Sequence, residues 1–273
     1  MLRQGRHPAA TIYESLGADF FLALAPGWLN LGLWEGPGDA AEAAAAPRRL
    51  VETLCEPLPP GGVILDVGNG LGVQDLVVAE RLRPSRLVTL NLSEFQLRAG
   101  RRALNDAEAL PVVGDAVHLP IATRAVDGLL SVEAAFHFPS RAAFYAEARR
   151  VLCPGGVLSM SDILAPRMAR DPLELFVGAA NMRIWGLRPA VVAGPDEIAR
   201  LLRMAGFVDV AVQTCGAAVF DPALRFARQR LRQHDLDGVP RGQQWAARLM
   251  IPQYELLRRR GMLEYILAQA VAP

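Results

Sequence analysis

The chain has 273 residues, 52% of them hydrophobic and 21% charged, with a formal net charge of +1, the composition of a globular protein of one large or two small domains. With 29 basic residues against 28 acidic ones, no basic stripe offers sequence-independent phosphate binding, and nucleic acid is excluded as the expected partner. Every basic residue is an arginine, so P-loop, kinase, Schiff-base aldolase and pyridoxal phosphate chemistry, which need a lysine, are excluded too.

Cys55, Cys153 and Cys215 are an odd number, far apart and without a C-x-x-C, which predicts neither a disulfide framework nor a zinc site and fits a reducing cytoplasm. The first ten residues carry Arg3, Arg6 and Pro8 but no apolar core of a signal peptide. The apolar run Phe20 to Ala25 is far short of the roughly 20 residues of a membrane span, so no membrane association is expected.

In chain order, the alanines of Asp39 to Ala46 predict the start of a helix running to about Cys55, ended by the Pro57 to Gly62 breaker. Strands then alternate with helices: strand 63–67, helix 72–83, strand 86–91, helix 94–104, and strands at 110–113 and 128–132. A helix at 141–152 and a strand at 157–161 follow, joined by the turn Pro154-Gly155-Gly156. Such alternation predicts a parallel sheet with crossover helices. Beyond Asp162 the pattern loosens into helices at 171–185, 196–204, 224–230 and within 243–260, with strands at 208–214 and 262–271. The expected organisation is an N-terminal helical cap segment (1–58), a sheet core (59–216), and a helical insertion with a closing strand (217–273).

The sharpest motif is Asp66-Val-Gly68-Asn69-Gly70-Leu-Gly72, between a strand and a helix. Glycines there let the backbone turn tightly and approach a ligand, with a helix N-terminus facing the same cleft. Val73 stands where the dinucleotide fingerprint wants its last small residue, which argues against a nicotinamide or flavin site.

Five motifs in order make the chain resemble the class I S-adenosylmethionine-dependent methyltransferases over about 63–214. They are Asp66 to Gly72, Thr89 to Gln96, Gly114 to Pro120, Val126-Asp127-Gly-Leu-Leu, and Arg149 to Gly156. Asn30 to Trp34, Gln74-Asp75-Leu76 and Glu133 to Pro139 are similar to the branch of antibiotic-tailoring O-methyltransferases. The resemblance implies a doubly wound, seven-stranded Rossmann-like α/β sheet with a helical cap, and S-adenosylmethionine as cofactor. It implies that Asp66, Gly68, Asn69, Gly70 and Gly72 form the methionyl cleft. Asn91 would accept from the ribose hydroxyls, with Leu92 and Gln96 beside it, and Asp115 would meet the adenine amine, with Ala116 and Val117 beside it. Asn91 departs from the acidic residue common in the wider family, trading a charge-assisted hydrogen bond for a neutral one. Tyr13 and Trp34 are candidate aromatic contacts from the cap, and Glu133 is a candidate contact to cofactor or acceptor.

Methyl transfer to an aliphatic hydroxyl needs alignment, desolvation and a proton acceptor. Of the four histidines, His7 lies near the start, His118 in the adenine motif and His234 in a polar stretch; His137 follows a strand end directly, and Asp162 occupies the equivalent place after the next strand. The family's strand order makes those strands neighbours, so His137 is read as the base and Asp162 as its orienter. No metal site is expected from the spacing of carboxylates, His and Cys. The reading is an O-methyltransferase for a polyketide or glycosylated natural product, the acceptor being large and partly apolar. A C-methyltransferase using Phe136, Phe138 and Trp185, or a cyclase with a structural cofactor, are the alternatives. The cap segments are equally compatible with a homodimer interface.

Overall fold

The computed structural model describes residues 24–184, 192–232, 239 and 241–273. Tyr13, Trp185, His7 and His234 lie outside the described residues.

Helix α1 (Ala46–Cys55) starts later than the alanine run suggested, because Pro47 in its first turn sets the helical φ there while residues 40–45 form turns. Seven strands then form one sheet: β1 (Val63–Val67), β2 (Arg86–Asn91), β3 (Leu110–Val113), β4 (Val126–Val132), β5 (Leu152–Leu164), β6 (Val208–Thr214) and β7 (Glu264–Val271), in the order β3-β2-β1-β4-β5-β7-β6. The pairings of β1 to β5 are parallel, and β7 runs antiparallel to both β5 and β6.

The central strands read as continuous apolar runs because helices cover both faces. Successive side chains alternate between two cores. On one face Leu65, Leu129, Leu158 and Met160 meet Phe144 and Tyr145 of α5 (Arg141–Val151) and Ile198 of α7 (Pro195–Met204). On the other, Ile64 and Leu130 meet Leu50 and Leu54 of α1 and Val77 and Val78 of α2 (Val73–Leu82). Helix α6 (Pro172–Ile184) packs with α8 (Gly216–Arg232) and α9 (Arg241–Arg259) as the cap, and Phe226 of α8 stacks against Trp34 with ring centroids 5.9 Å apart.

Other boundaries also differ from the sequence expectation. The helix expected at 94–104 is two, α3 (Glu94–Ala99) and α4 (Arg101–Asp106), broken at Gly100, where a Cβ would lie 2.2 Å from the Leu71 carbonyl oxygen. Strand β5 runs on through Pro154-Gly155-Gly156, the irregularity falling between the Val126↔Leu152 and Gly128↔Val157 pairs. Helix α8 begins eight residues before Leu224 and carries the buried Pro222 inside its early turns.

Candidate active site

The strand order reverses at β1 and β4, and a cleft of about 120 Å³ opens there at the carboxyl ends of β1, β2 and β4, the place where open α/β sheets bind ligands. Gly68, Asn69 and Gly70 form one wall, Asn91, Leu92 and Gln96 a second, and Asp115 and Ala116 a third. Gly68 and Gly70 have φ of +84° and +59°, and a Cβ on Gly68 would lie 2.5 Å from that of Ala134. Only glycine fits this close approach of the loop to the turn after β4.

Polar side chains hold the loop from below. Asn91 Nδ2 donates to Asn69 Oδ1 (3.2 Å), the Gly70 carbonyl (3.3 Å) and Gln96 Oε1 (3.0 Å), while Asn91 Oδ1 accepts from the Ser93 amide at 2.9 Å. Its oxygen keeps one further lone pair for a hydroxyl in the cleft. Asp115 Oδ1 accepts from the Val117 amide at 3.1 Å.

Asp66 and Asp75 sit beneath the loop, both wholly excluded from water. Gln74 Nε2 donates to Asp66 Oδ2 at 2.6 Å, and Asn69 Nδ2 and Thr89 Oγ1 donate to Asp75 Oδ2 at 3.0 and 3.3 Å. The Oδ1 atoms of both are buried without a hydrogen-bond partner, and the charge of Asp66 opposes ionisation of Asp75. Burial pushes both upward, Asp66 to about 7.

Several predicted contacts take other roles. Trp34 is buried in the cap cluster, its Nε1 donating to the Leu31 carbonyl at 2.9 Å. Val117 packs in the core, Asp66 lies under the loop, and Gly72, with φ of +77°, starts α2 where a Cβ would meet Leu104 at 2.7 Å. Asp162 is not the orienter of His137. The Arg141 Nε donates to its Oδ2 at 2.7 Å and the Ile163 amide to its Oδ1 at 2.8 Å, so this fully buried carboxylate is the counterion of an arginine in the first turn of α5. The sequence reading passed over Trp28, Leu29 and Asn30, which line the cleft from the segment before α1. Asn30 belonged to the motif from which Trp34 was chosen, and nothing local separates a lining aromatic such as Trp28 from a packing one.

A second, larger cavity of about 340 Å³ adjoins the cleft, between the sheet and α6, α8 and α9, and its walls are overwhelmingly apolar. Trp28, Leu29, Asn30 and Glu133 line both. Glu133 follows β4 with φ of +47°, a strained position for a non-glycine residue. Its Oε1 accepts from the Leu31 amide and the Tyr265 hydroxyl, each at 2.8 Å. Burial pushes this carboxyl up to about 7 against the pull of those two donors. His137 ends the 3-10 turn Ala135–His137, stacks on Phe136 at 4.0 Å between centroids and lines the cofactor cleft, whereas Glu133 and Phe136 face the apolar cavity.

Among the described residues, no group of three or more His, Cys, Asp or Glu is placed to hold a metal ion. No described helix is long and apolar enough to cross a membrane.

A doubly wound sheet with a glycine loop at its switch point and a capped cavity beside it is the architecture of an α/β fold that binds small molecules. Residues 65–160 match a family profile described as methyltransferase domain. The chain is 31% identical over 242 residues to erythromycin 3''-O-methyltransferase of Saccharopolyspora erythraea, covering 82% of this chain and 76% of that one. It is 34% identical over 142 residues to a sterol 24-C-methyltransferase of Gibberella zeae, covering 46% and 36%. The fold superposes on that of the cyclopropane synthase MmaA2 of Mycobacterium tuberculosis with a TM-score of 0.80 at 18% identity, covering 99% of this chain and all of that one. The chain belongs to the class I S-adenosylmethionine-dependent methyltransferases, and S-adenosylmethionine is its cofactor. The glycine cradle and the ring of amides around it fit that group.

Two substitutions test this site. Asp162→Asn strands a buried guanidinium and is expected to cost about 3–5 kcal/mol of stability, read by denaturant unfolding; unchanged stability refutes the ion-pair role. A carboxyl raised in the fold gives stability below its unfolded value near 4 and loses it as pH rises through the folded value of about 7. Asp75→Asn removes a carboxyl that burial and the Asp66 charge hold above its unfolded value, so its stability relative to the wild type rises as pH climbs above about 4. Parallel stability curves contradict the raised carboxyl.

Proposed function

We propose that the protein methylates a hydroxyl of a large, partly apolar natural product of the polyketide or glycosylated kind. The observation that carries this is the apolar cavity opening onto the cofactor cleft at Glu133. When bound, S-adenosylmethionine supplies an electrophilic methyl group on a sulfonium. Trp28 and Leu29, shared by the two cavities, exclude water from the junction, and Asn30 anchors their segment by accepting from the Gly32 amide at 3.0 Å.

Glu133 is the proton acceptor in this reading. Both hydrogen bonds it accepts from described residues fall on Oε1, so Oε2 serves the acceptor hydroxyl, and a carboxyl near 7 is suited to general-base work at neutral pH. His137 lines the cofactor side of the junction, and Asp162 is committed to Arg141. Phe136 on the apolar wall supports a second reading, C-methylation of an alkene through a cation that its ring stabilises.

The test is labelled methyl transfer to hydroxylated polyketides, glycosides and prenyl alkenes, with the new methyl located in each product; a methyl on carbon alone supports the second reading. With a hydroxyl acceptor, kcat/KM should rise with pH up to about 7 as Glu133 ionises. Glu133→Gln should flatten that limb and lower turnover by roughly 100- to 10,000-fold, leaving S-adenosylhomocysteine binding within a few fold. Full activity in Glu133→Gln, or loss confined to His137→Ala, returns the base role to His137.

A further inference from the structure

The two carboxyl oxygens of Glu133 have different surroundings. Oε1 accepts from the Leu31 amide and the Tyr265 hydroxyl, each at 2.8 Å. Oε2 has no hydrogen-bond partner among the described residues and stays accessible, in a residue that lines both cavities. The amide can only donate, and with the hydroxyl it occupies both lone pairs of Oε1. A proton on this carboxyl therefore sits on Oε2.

Of the described side chains, Tyr265 alone hydrogen-bonds the Glu133 carboxyl. It stands on β7 opposite Ile163 of β5. Its ring is fully buried and packs edge-on to Phe220 of α8, with centroids 5.8 Å apart. The hydroxyl is thus delivered from the rigid sheet, to which the Glu133 amide is also tied through Ser161 Oγ at 3.1 Å. Burial and the nearby Glu133 charge hold the phenol well above its ordinary value, so it remains a donor while Glu133 titrates.

Other ionisable groups reach Glu133 from the elements around it. Asp162 of β5 is paired with Arg141, and its charge adds to the upward push of burial on Glu133. Cys215, between β6 and α8, is pushed up to about 12 by burial and stays a neutral thiol. His137 lines the cofactor cleft beside it. The downward pull on Glu133 comes from the Leu31 amide and the Tyr265 hydroxyl.

We propose that Tyr265 is a positioning residue for methyl transfer, its hydroxyl holding Oε1 of Glu133 so that the exchangeable proton is confined to Oε2. The proposal rests on the reading of Glu133 as proton acceptor and extends the machinery to the closing strand. As the acceptor oxygen takes the methyl group and the carbon–sulfur bond breaks, Oε2 receives the hydroxyl proton. Without the phenol, Oε1 keeps the Leu31 amide alone, the charged carboxylate loses a donor, and the proton can settle on either oxygen.

Tyr265→Phe keeps the ring and removes only the hydroxyl. Carbon-13 NMR follows the Glu133 carboxyl in protein made with carboxyl-labelled glutamate and saturated with S-adenosylhomocysteine, the signal being assigned by its loss in Glu133→Gln. Its titration midpoint should rise by about one pH unit in Tyr265→Phe, the worth of a hydrogen bond to a charged group. An unmoved or lowered midpoint overturns the proposal. If the variant does not fold, 3-fluorotyrosine throughout the chain places a more acidic phenol at the same position and should lower the midpoint; an unmoved midpoint again overturns it. With a hydroxyl acceptor, kcat/KM of Tyr265→Phe should be about tenfold below the wild type at about pH 6 and within about twofold at about pH 9, because a raised base ionises only at higher pH. An equal loss at every pH with an unmoved midpoint marks a packing role and overturns the proposal. A raised midpoint that the activity profile does not follow supports the hold of Tyr265 on Glu133 and counts against Glu133 as the base.

Discussion

A single half-buried carboxyl at the end of β4, that of Glu133, joins the cap, the closing strand and the central sheet. Through Oε1, Glu133 holds the Leu31 amide of the segment before α1 and the hydroxyl of Tyr265 on β7. Its own amide donates to Ser161 Oγ of β5 at 3.1 Å. One side chain thus ties the cap segment, the closing strand and the central sheet at the point where the cofactor cleft meets the apolar cavity. The strained backbone at Glu133, with φ of +47°, is the kind of local cost that persists where surrounding structure fixes it and function uses it.

Burial does different work at the other acids. Glu133 stays near neutrality while facing a cavity, which leaves it able to exchange a proton with a ligand. Asp66 and Asp75 are closed off beneath the glycine loop, where burial holds both above the usual carboxyl range and Gln74 and Asn69 donate to them, which makes the pair a fixed strut for the loop. Asp162 solves it with Arg141, fastening the start of α5 to β5. Four chemically similar carboxyls take three distinct roles because of what lies within hydrogen-bond reach.

The alternating strands and helices of the core were legible because buried parallel strands are apolar runs separated by turn residues. The glycine loop was legible from its spacing. Two element boundaries differ: Pro154-Gly155-Gly156 reads as a turn yet lies within β5, and the helix expected at 224–230 begins at Gly216 and carries Pro222 inside. The partnership of Arg141 with Asp162 spans 21 residues without a local signal, so a strand-end aspartate beside a histidine read as its orienter.

The claim on which the functional account turns is that the reacting end of the cofactor meets the acceptor at Glu133. A crystal structure of the protein with S-adenosylhomocysteine bound measures this most directly. The account predicts the ligand's sulfur at the junction of the two cavities, facing Glu133 and open to the apolar one. A sulfur turned toward His137 and sealed from the apolar cavity by Trp28 and Leu29 would contradict it.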